Sequence, residues 1–165
     1  MPQPNPSIDA HALLPLYLSD EEAARRYGEG SSEGSEWRAA CSSLTDLAEE
    51  AKSEIESSFE TPLSETEDDL ETLDLVIADG WQDRPPSEEE LAAIAASWGA
   101  YLGHLILQNV GGQWVVRPEA HRNSLRFPRL GTQFFPIHAI LRRFALGRAG
   151  SLVEAYDRLL AELSR

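Results

Sequence analysis

Ser87-Glu-Glu-Glu-Leu-Ala-Ala-Ile-Ala-Ala-Ser-Trp-Gly-Ala-Tyr-Leu-Gly-His-Leu-Ile-Leu-Gln-Asn-Val-Gly-Gly112 is the stretch on which the reading of the fold turns. Ser87-x-x-Glu90 forms a capping box, with a hydroxyl placed to accept from the first free backbone N–H groups of a helix. Behind it Leu91, Ile94, Ala95, Trp98, Leu102, Leu105 and Ile106 recur at three- and four-residue steps, which lays them on one helical face. Gly99 and Gly103 sit one turn apart inside this helix, where each costs about 1 kcal/mol relative to alanine. The pair therefore predicts close approach by another helix or backbone. Gly111-Gly112 ends the helix, the first glycine in a left-handed cap. Ser97, His104, Gln108 and Asn109 interrupt the apolar run, so it reads as a core helix and not a membrane span.

Past Gly112 the period changes from 3.6 to 2. Gln113-Trp-Val-Val116 is rich in strand formers, and Ser124-Leu-Arg-Phe127 alternates, with Leu125 and Phe127 on one face and Arg126 on the other. Leu130–Phe135 is a candidate third strand. Phe134 and Phe135 are adjacent, so one of them is expected to be exposed unless a bulge or cover on both faces hides the pair. Pro136 suits the first turn of a helix to about Leu146, stopped by Gly147. Ser151-x-x-Glu154 caps a last helix with Leu152, Tyr156, Leu159 and Leu163 inward.

Upstream of Ser87 the chain reads as helices and loops. Pro2, Pro4 and Pro6 mark an extended tail, and residues 1–18 are assigned to a flexible lead-in. Ser19 starts a helix to about Tyr27, and Gly28–Ser35 reads as a flexible loop. A helix from about Glu36 to Phe59 follows, with Trp37, Cys41, Leu44, Ala48, Ala51 and Ile55 on its apolar side and acids opposite. Ser64-x-x-Glu67 reads as a third capping box, opening a helix to about Ala78 with Leu70, Leu73 and Ile77 inward. The fold expected is α+β: mainly helical, with one small antiparallel sheet of two or three strands in the C-terminal half. Residues 19–165 form a single domain, an acidic helical part at 19–86 and an arginine-rich α+β part at 87–165.

Charge is divided in the same way. Residues 1–90 hold 24 acids and 5 bases, residues 91–165 hold 4 acids and 9 bases, and the whole chain carries −14. Such a charge disfavours nucleic acid and anionic lipid as partners. A lone cysteine, Cys41, allows no internal disulfide and suits a reducing compartment, so the cytoplasm is expected. The division of charge itself is most simply explained from within, by an acidic helical half packed against an arginine-rich half.

The chemistry-bearing residues are sparse. His11, His104, His121 and His138 form no pair at metal-ligand spacing, so no metal is expected. There is no nucleophile elbow and no phosphate loop, Cys41 falls on an apolar helix face, and no cofactor motif appears. Arginines are what remain. Arg117, His121, Arg122, Arg126 and Arg129 are the candidate ligand-binding residues, lining a groove on the small sheet with Asn123 and Gln133, and Arg142, Arg143 and Arg148 follow on the next helix. Guanidinium forks suit carboxylate or phosphate.

The pattern Trp98-Gly-Ala-Tyr-Leu-Gly103, Gly111-Gly-Gln-Trp-Val115, Phe135-Pro136, Arg142-Arg143, Gly147 and Ser151-Leu152 resembles one found in small uncharacterised bacterial proteins filed as domains of unknown function. The resemblance covers about the last 70 residues and implies a bacterial α+β domain; it carries over no activity and no functional residue. Two roles are expected on these grounds. The first is a non-enzymatic binding or regulatory protein of the bacterial cytosol, acting through contacts with another protein or with a second copy of itself. The alternative is an anionic-ligand or small-molecule binder, possibly an enzyme, using the arginine groove. The balance leans against an enzyme.

Overall fold

In a computed structural model, residues 19–128 and 131–165 are described. The Pro-rich lead-in, Arg129 and Leu130 lie outside them. Six helices and three strands run α1 (Asp20–Tyr27), α2 (Ser35–Ser58), α3 (Asp68–Gly80), α4 (Glu88–Asn109), β1 (Gln113–Val115), β2 (Ser124–Phe127), β3 (Thr132–Phe134), α5 (Pro136–Leu146) and α6 (Leu152–Leu163). The fold is α+β and mainly helical, with its one small antiparallel sheet in the C-terminal half.

The centre is α4. Among the described residues it is the one helix long and apolar enough to cross a membrane, and here it is the core. Trp98, Tyr101, Leu102, Leu105 and Ile106 are almost wholly buried, between α2 on one side and α5 on the other. Burying each of the aliphatic side chains is worth about 1.5–3 kcal/mol. Its two glycines are where neighbours press in. A Cβ at Gly99 would lie 2.6 Å from Cγ1 of Ile137 on α5, and one at Gly103 would run into the Trp114 indole of β1. The cost of glycine in the helix thus purchases contact with both a helix and a strand.

The strands pair in the order β1-β2-β3, with Trp114 opposite Leu125 and Leu125 opposite Phe134, so one apolar row crosses the sheet. The parallel row, Gln113, Arg126 and Gln133, is polar. Both Phe134 and Phe135 are buried, contrary to the expectation for two adjacent phenylalanines. β3 ends at Phe134, and Phe135 turns into the N-cap of α5, where Tyr27 of α1 covers it at 5.7 Å between ring centroids.

Two further expectations are corrected. The Gly28–Ser35 segment is a pinned loop: the Ser31 and Val116 backbones exchange two 2.8 Å hydrogen bonds, Gln113 donates to the Ser32 carbonyl, and the Trp37 indole donates to the Trp114 carbonyl at 2.9 Å. Gly30 makes this possible, since a Cβ there would lie 2.6 Å from Val115. The Ser64–Glu67 capping box does not form. Asp69 captures the Ser64 N–H, the Ser64 hydroxyl and the Glu65 N–H at 2.8–2.9 Å, so α3 begins only at Asp68. The boxes at Ser87 and Ser151 form their N-cap half, with the hydroxyl accepting from Glu90 and Glu154 N–H. The carboxylate of Glu90 goes instead to Arg84.

The charge halves meet at specific bridges: Arg143 with Asp74 at 2.9 Å, Arg142 with Asp20 at 3.6 Å and His104 with Glu65 at 3.2 Å. Neutralisation stops there for α2, whose Asp46, Glu49, Glu50 and Glu54 point outward with no ion pair among the described residues.

Candidate anion-binding site

Four of the predicted residues are brought together where α1, the 3-10 turn Ala120–Arg122 and the start of α5 converge. Arg117 leaves β1 and is buried, 5% exposed. Its Nε and Nη2 donate to the Gly28 carbonyl at 3.2 and 2.7 Å, Nη2 also to Gln133 Oε1 at 3.1 Å, and Nη1 to the Arg122 carbonyl and the Ser124 hydroxyl at 2.7 and 3.1 Å. All five of its N–H groups are spent on neutral acceptors of the chain itself. Its backbone N–H is held by Asn123 Oδ1 at 2.8 Å. Arg117 is therefore a staple between the end of α1, the 3-10 turn and the sheet, and it offers a site its charge rather than a contact. Burial and the neighbouring Arg126 and Arg122 pull the guanidinium below its usual pKa.

Arg126 reaches the Ser32 hydroxyl at 3.4 Å and has no carboxylate partner among the described residues. Arg122 approaches one acid, Glu119, at 3.6 Å, and lays its guanidinium carbon 4.9 Å from the centroid of the Tyr27 ring. Its Nε is buried and has no hydrogen-bond partner among the described residues. Of the other arginines, Arg143 faces Asp74 on the far end of α5, and Arg148 is exposed in the turn that follows.

The residues that complete the cluster were not legible from spacing. His138, fully buried on α5, packs at 5.6 Å against Tyr27 and at 6.3 Å, nearly parallel, against His121, which itself stands 6.1 Å from Tyr27. These two histidines are 17 positions apart, and Tyr27 comes from a different helix. Tyr27 Oη lies 3.0 Å from Nε2 of His138. With the hydroxyl as the donor to Nε2, the proton of the neutral imidazole sits on Nδ1. Neutral it is: burial, then the charges of Arg142 and His121, push His138 down to about 3. Burial, then Arg122, lowers His121 in the same way, and burial raises Tyr27. Nδ1 of His121 and Nδ1 of His138 are both buried without a partner among the described residues.

Three side chains packed on one tyrosine ring thus each carry a buried, unpaired polar atom: Arg122 Nε, His121 Nδ1 and His138 Nδ1. Arg122 Nε is a donor, and so is His138 Nδ1 when the tyrosine donates to Nε2. Buried donors are nearly always satisfied in folded proteins, and leaving one empty costs about 1–3 kcal/mol. The charges of Arg122 and Arg117 bear on the Tyr27 hydroxyl, and Glu119 is the acid that Arg122 approaches. The remaining orphan, Trp98 Nε1, belongs elsewhere, among the rings of Trp81 and Phe59. Among the described residues no group of three His, Cys, Asp or Glu side chains is placed to hold a metal.

A family model described as a domain of unknown function (DUF3806) matches residues 69–156, more than half of the chain. The chain belongs to this family. No curated protein and no solved structure matches it. The DUF3806 region opens at Asp69 and closes at Tyr156, so it contains Arg117, His121, Arg122, Arg126 and His138. Tyr27 and the Gly28 carbonyl reach the cluster from outside it.

Proposed function

We propose that this DUF3806 protein is a binding protein of the bacterial cytosol whose ligand is a small oxyanion, held at the Tyr27–His121–Arg122–His138 cluster. One observation carries the reading: three side chains on a single ring, each with a buried polar atom left unpaired, in a local excess of positive charge. Arg122 and the Nδ1–H of His138 supply donors to the anion. Arg117, saturated by the chain, supplies fixed charge in a low-dielectric setting, where it counts for more than at the surface. The two neutral histidines and the high-pKa tyrosine are suited to binding across neutral pH.

The test is thermal unfolding in potassium phosphate against potassium chloride at matched ionic strength. Phosphate is expected to raise the midpoint of the natural protein, with a stabilisation of about 2.7 kcal/mol at a hundredfold excess over Kd. Arg122→Ala and His121→Gln should abolish the difference between the salts. A shift equal in chloride, or one retained in both variants, overturns the reading.

A protein partner remains the second reading, supported by the outward acids of α2. That helix, about 36 Å long at 1.5 Å per residue, presents an unpaired negative face suited to steering a basic protein. Exchange of Glu49, Glu50 and Glu54 for glutamine should then slow capture of that partner in a salt-dependent manner. Unchanged capture in a pull-down would remove this reading and leave the first intact.

A further inference from the structure

A cleft of about 300 Å3 lies between α1, α5 and α6, lined by Asp20, Arg142, Leu146, Ala149, Ala155 and Arg158 among others. That volume is at the lower end of what small-molecule sites have. We infer that this cleft is a binding site for a small monocarboxylic acid with an apolar tail.

The lining is divided in a way that matches such a ligand. Asp20 and Arg142 hold each other at 3.6 Å, and Asp20 also accepts from the Phe135 N–H at 3.2 Å, so both are fixed in place. Arg158 is different. It is exposed, reaches the cleft from α6, makes no ion pair or hydrogen bond among the described residues, and its charge is felt by Asp20. Its guanidinium fork can take one carboxylate. Leu146 stands at the cleft with 45% of its surface exposed, one of two large hydrophobic residues so exposed among those described. With Ala149 and Ala155 it forms an apolar wall beside the fork. A hydrocarbon tail laid there removes apolar surface from water, worth about 0.8 kcal/mol per buried methylene.

Asp20 sets the ligand's charge. Its carboxylate offsets Arg142, so the lining carries one net positive charge, which a monoanion neutralises and which phosphate or a dicarboxylate would exceed. Arg158 and Leu146 take no part in the histidine cluster, so this inference stands apart from the proposed oxyanion site.

The test is titration of the full chain with hexanoate, butanoate, hexylamine and phosphate, followed in two-dimensional amide correlation spectra. Hexanoate is expected to produce saturable shifts at Leu146, Ala149, Ala155 and Arg158. Butanoate should bind more weakly, and hexylamine and phosphate should leave these amides still. Arg158→Ala, at an exposed helical position, should weaken hexanoate about tenfold, the loss of one charge-assisted contact. Leu146→Ser should narrow the gap between hexanoate and butanoate. Arg122→Ala should change neither. Absent or non-saturating shifts, or hexanoate binding undiminished by Arg158→Ala, overturn the inference.

Discussion

At the C-terminal end of α5, Arg143 meets Asp74; at the N-terminal end, His138 meets Tyr27. Both are buried polar clusters, and they are completed differently. Asp74 accepts from Arg143 Nε at 2.9 Å, the Leu152 N–H at 3.0 Å, the Ser151 hydroxyl at 3.0 Å and the Val153 N–H at 3.3 Å, while its own carbonyl takes Arg143 Nη2 at 3.0 Å. One carboxylate from α3 thereby caps α6 from outside and neutralises a buried guanidinium, a favourable place for negative charge at a helix start. Nothing there is left to bind. Around Tyr27 the chain uses similar residue types, and three atoms have no partner among the described residues. The difference separates polar groups that hold the fold from the polar groups proposed above to meet a ligand.

The comparison is broken most severely by Asp74→Ala. Removing one partner of a buried pair strands Arg143 and takes the acceptor from the Leu152 and Val153 N–H groups, so a loss of about 3–5 kcal/mol is expected in chemical denaturation. A loss below about 1 kcal/mol would mean that Asp74 behaves as a surface charge and the contrast is void.

Next in size is the pH dependence of the other cluster. The His138 imidazole has a folded pKa of about 3 against 6.5 unfolded. Between those values the unfolded chain binds a proton that the folded chain refuses. Stability therefore falls as pH drops below 6.5, by about 2 kcal/mol at pH 5 from this group alone. His138→Phe should flatten that part of the stability profile, measured by urea unfolding at stepped pH. An unchanged slope would place His138 in contact with water.

Smallest is Tyr101→Phe. The Tyr101 hydroxyl donates to the buried Asp69 carboxylate at 2.7 Å, and its loss should cost about 1.5 kcal/mol, because Asp69 keeps the Ser64 and Glu65 donors. A larger loss would show that Asp69 depends on Tyr101 far more than its hydrogen bonds indicate.

How far the sequence announced all this depends on the range of the signal. Helix faces, the Gly99–Gly103 approach and the three strands follow from periods of 3.6 and 2, and each of them stands in the structure. The Ser64 box failed because a buried carboxylate five residues on competes for the same donors, and no local pattern reports burial of Asp69. The Gly–Ser loop was read by composition as flexible, yet its Ser31 pairs with Val116, 85 positions away. For the candidate site, spacing pointed to Arg117, His121, Arg122 and Arg126 as a neighbourhood, but it gave no sign that Arg117 would be consumed internally. Tyr27 and His138 were invisible because they enter from α1 and α5. A buried histidine on a helical face looks in sequence like any other core position.

The most direct measurement is long-range nitrogen–proton correlation of the His121 and His138 imidazoles at neutral pH, with and without phosphate. Both rings are predicted to be neutral, with the His138 proton on Nδ1, and both Nδ1 signals should shift saturably on phosphate addition. Rings that are charged, or Nδ1 signals that stay fixed as phosphate is raised, would contradict the claim that this cluster is a site awaiting an oxyanion.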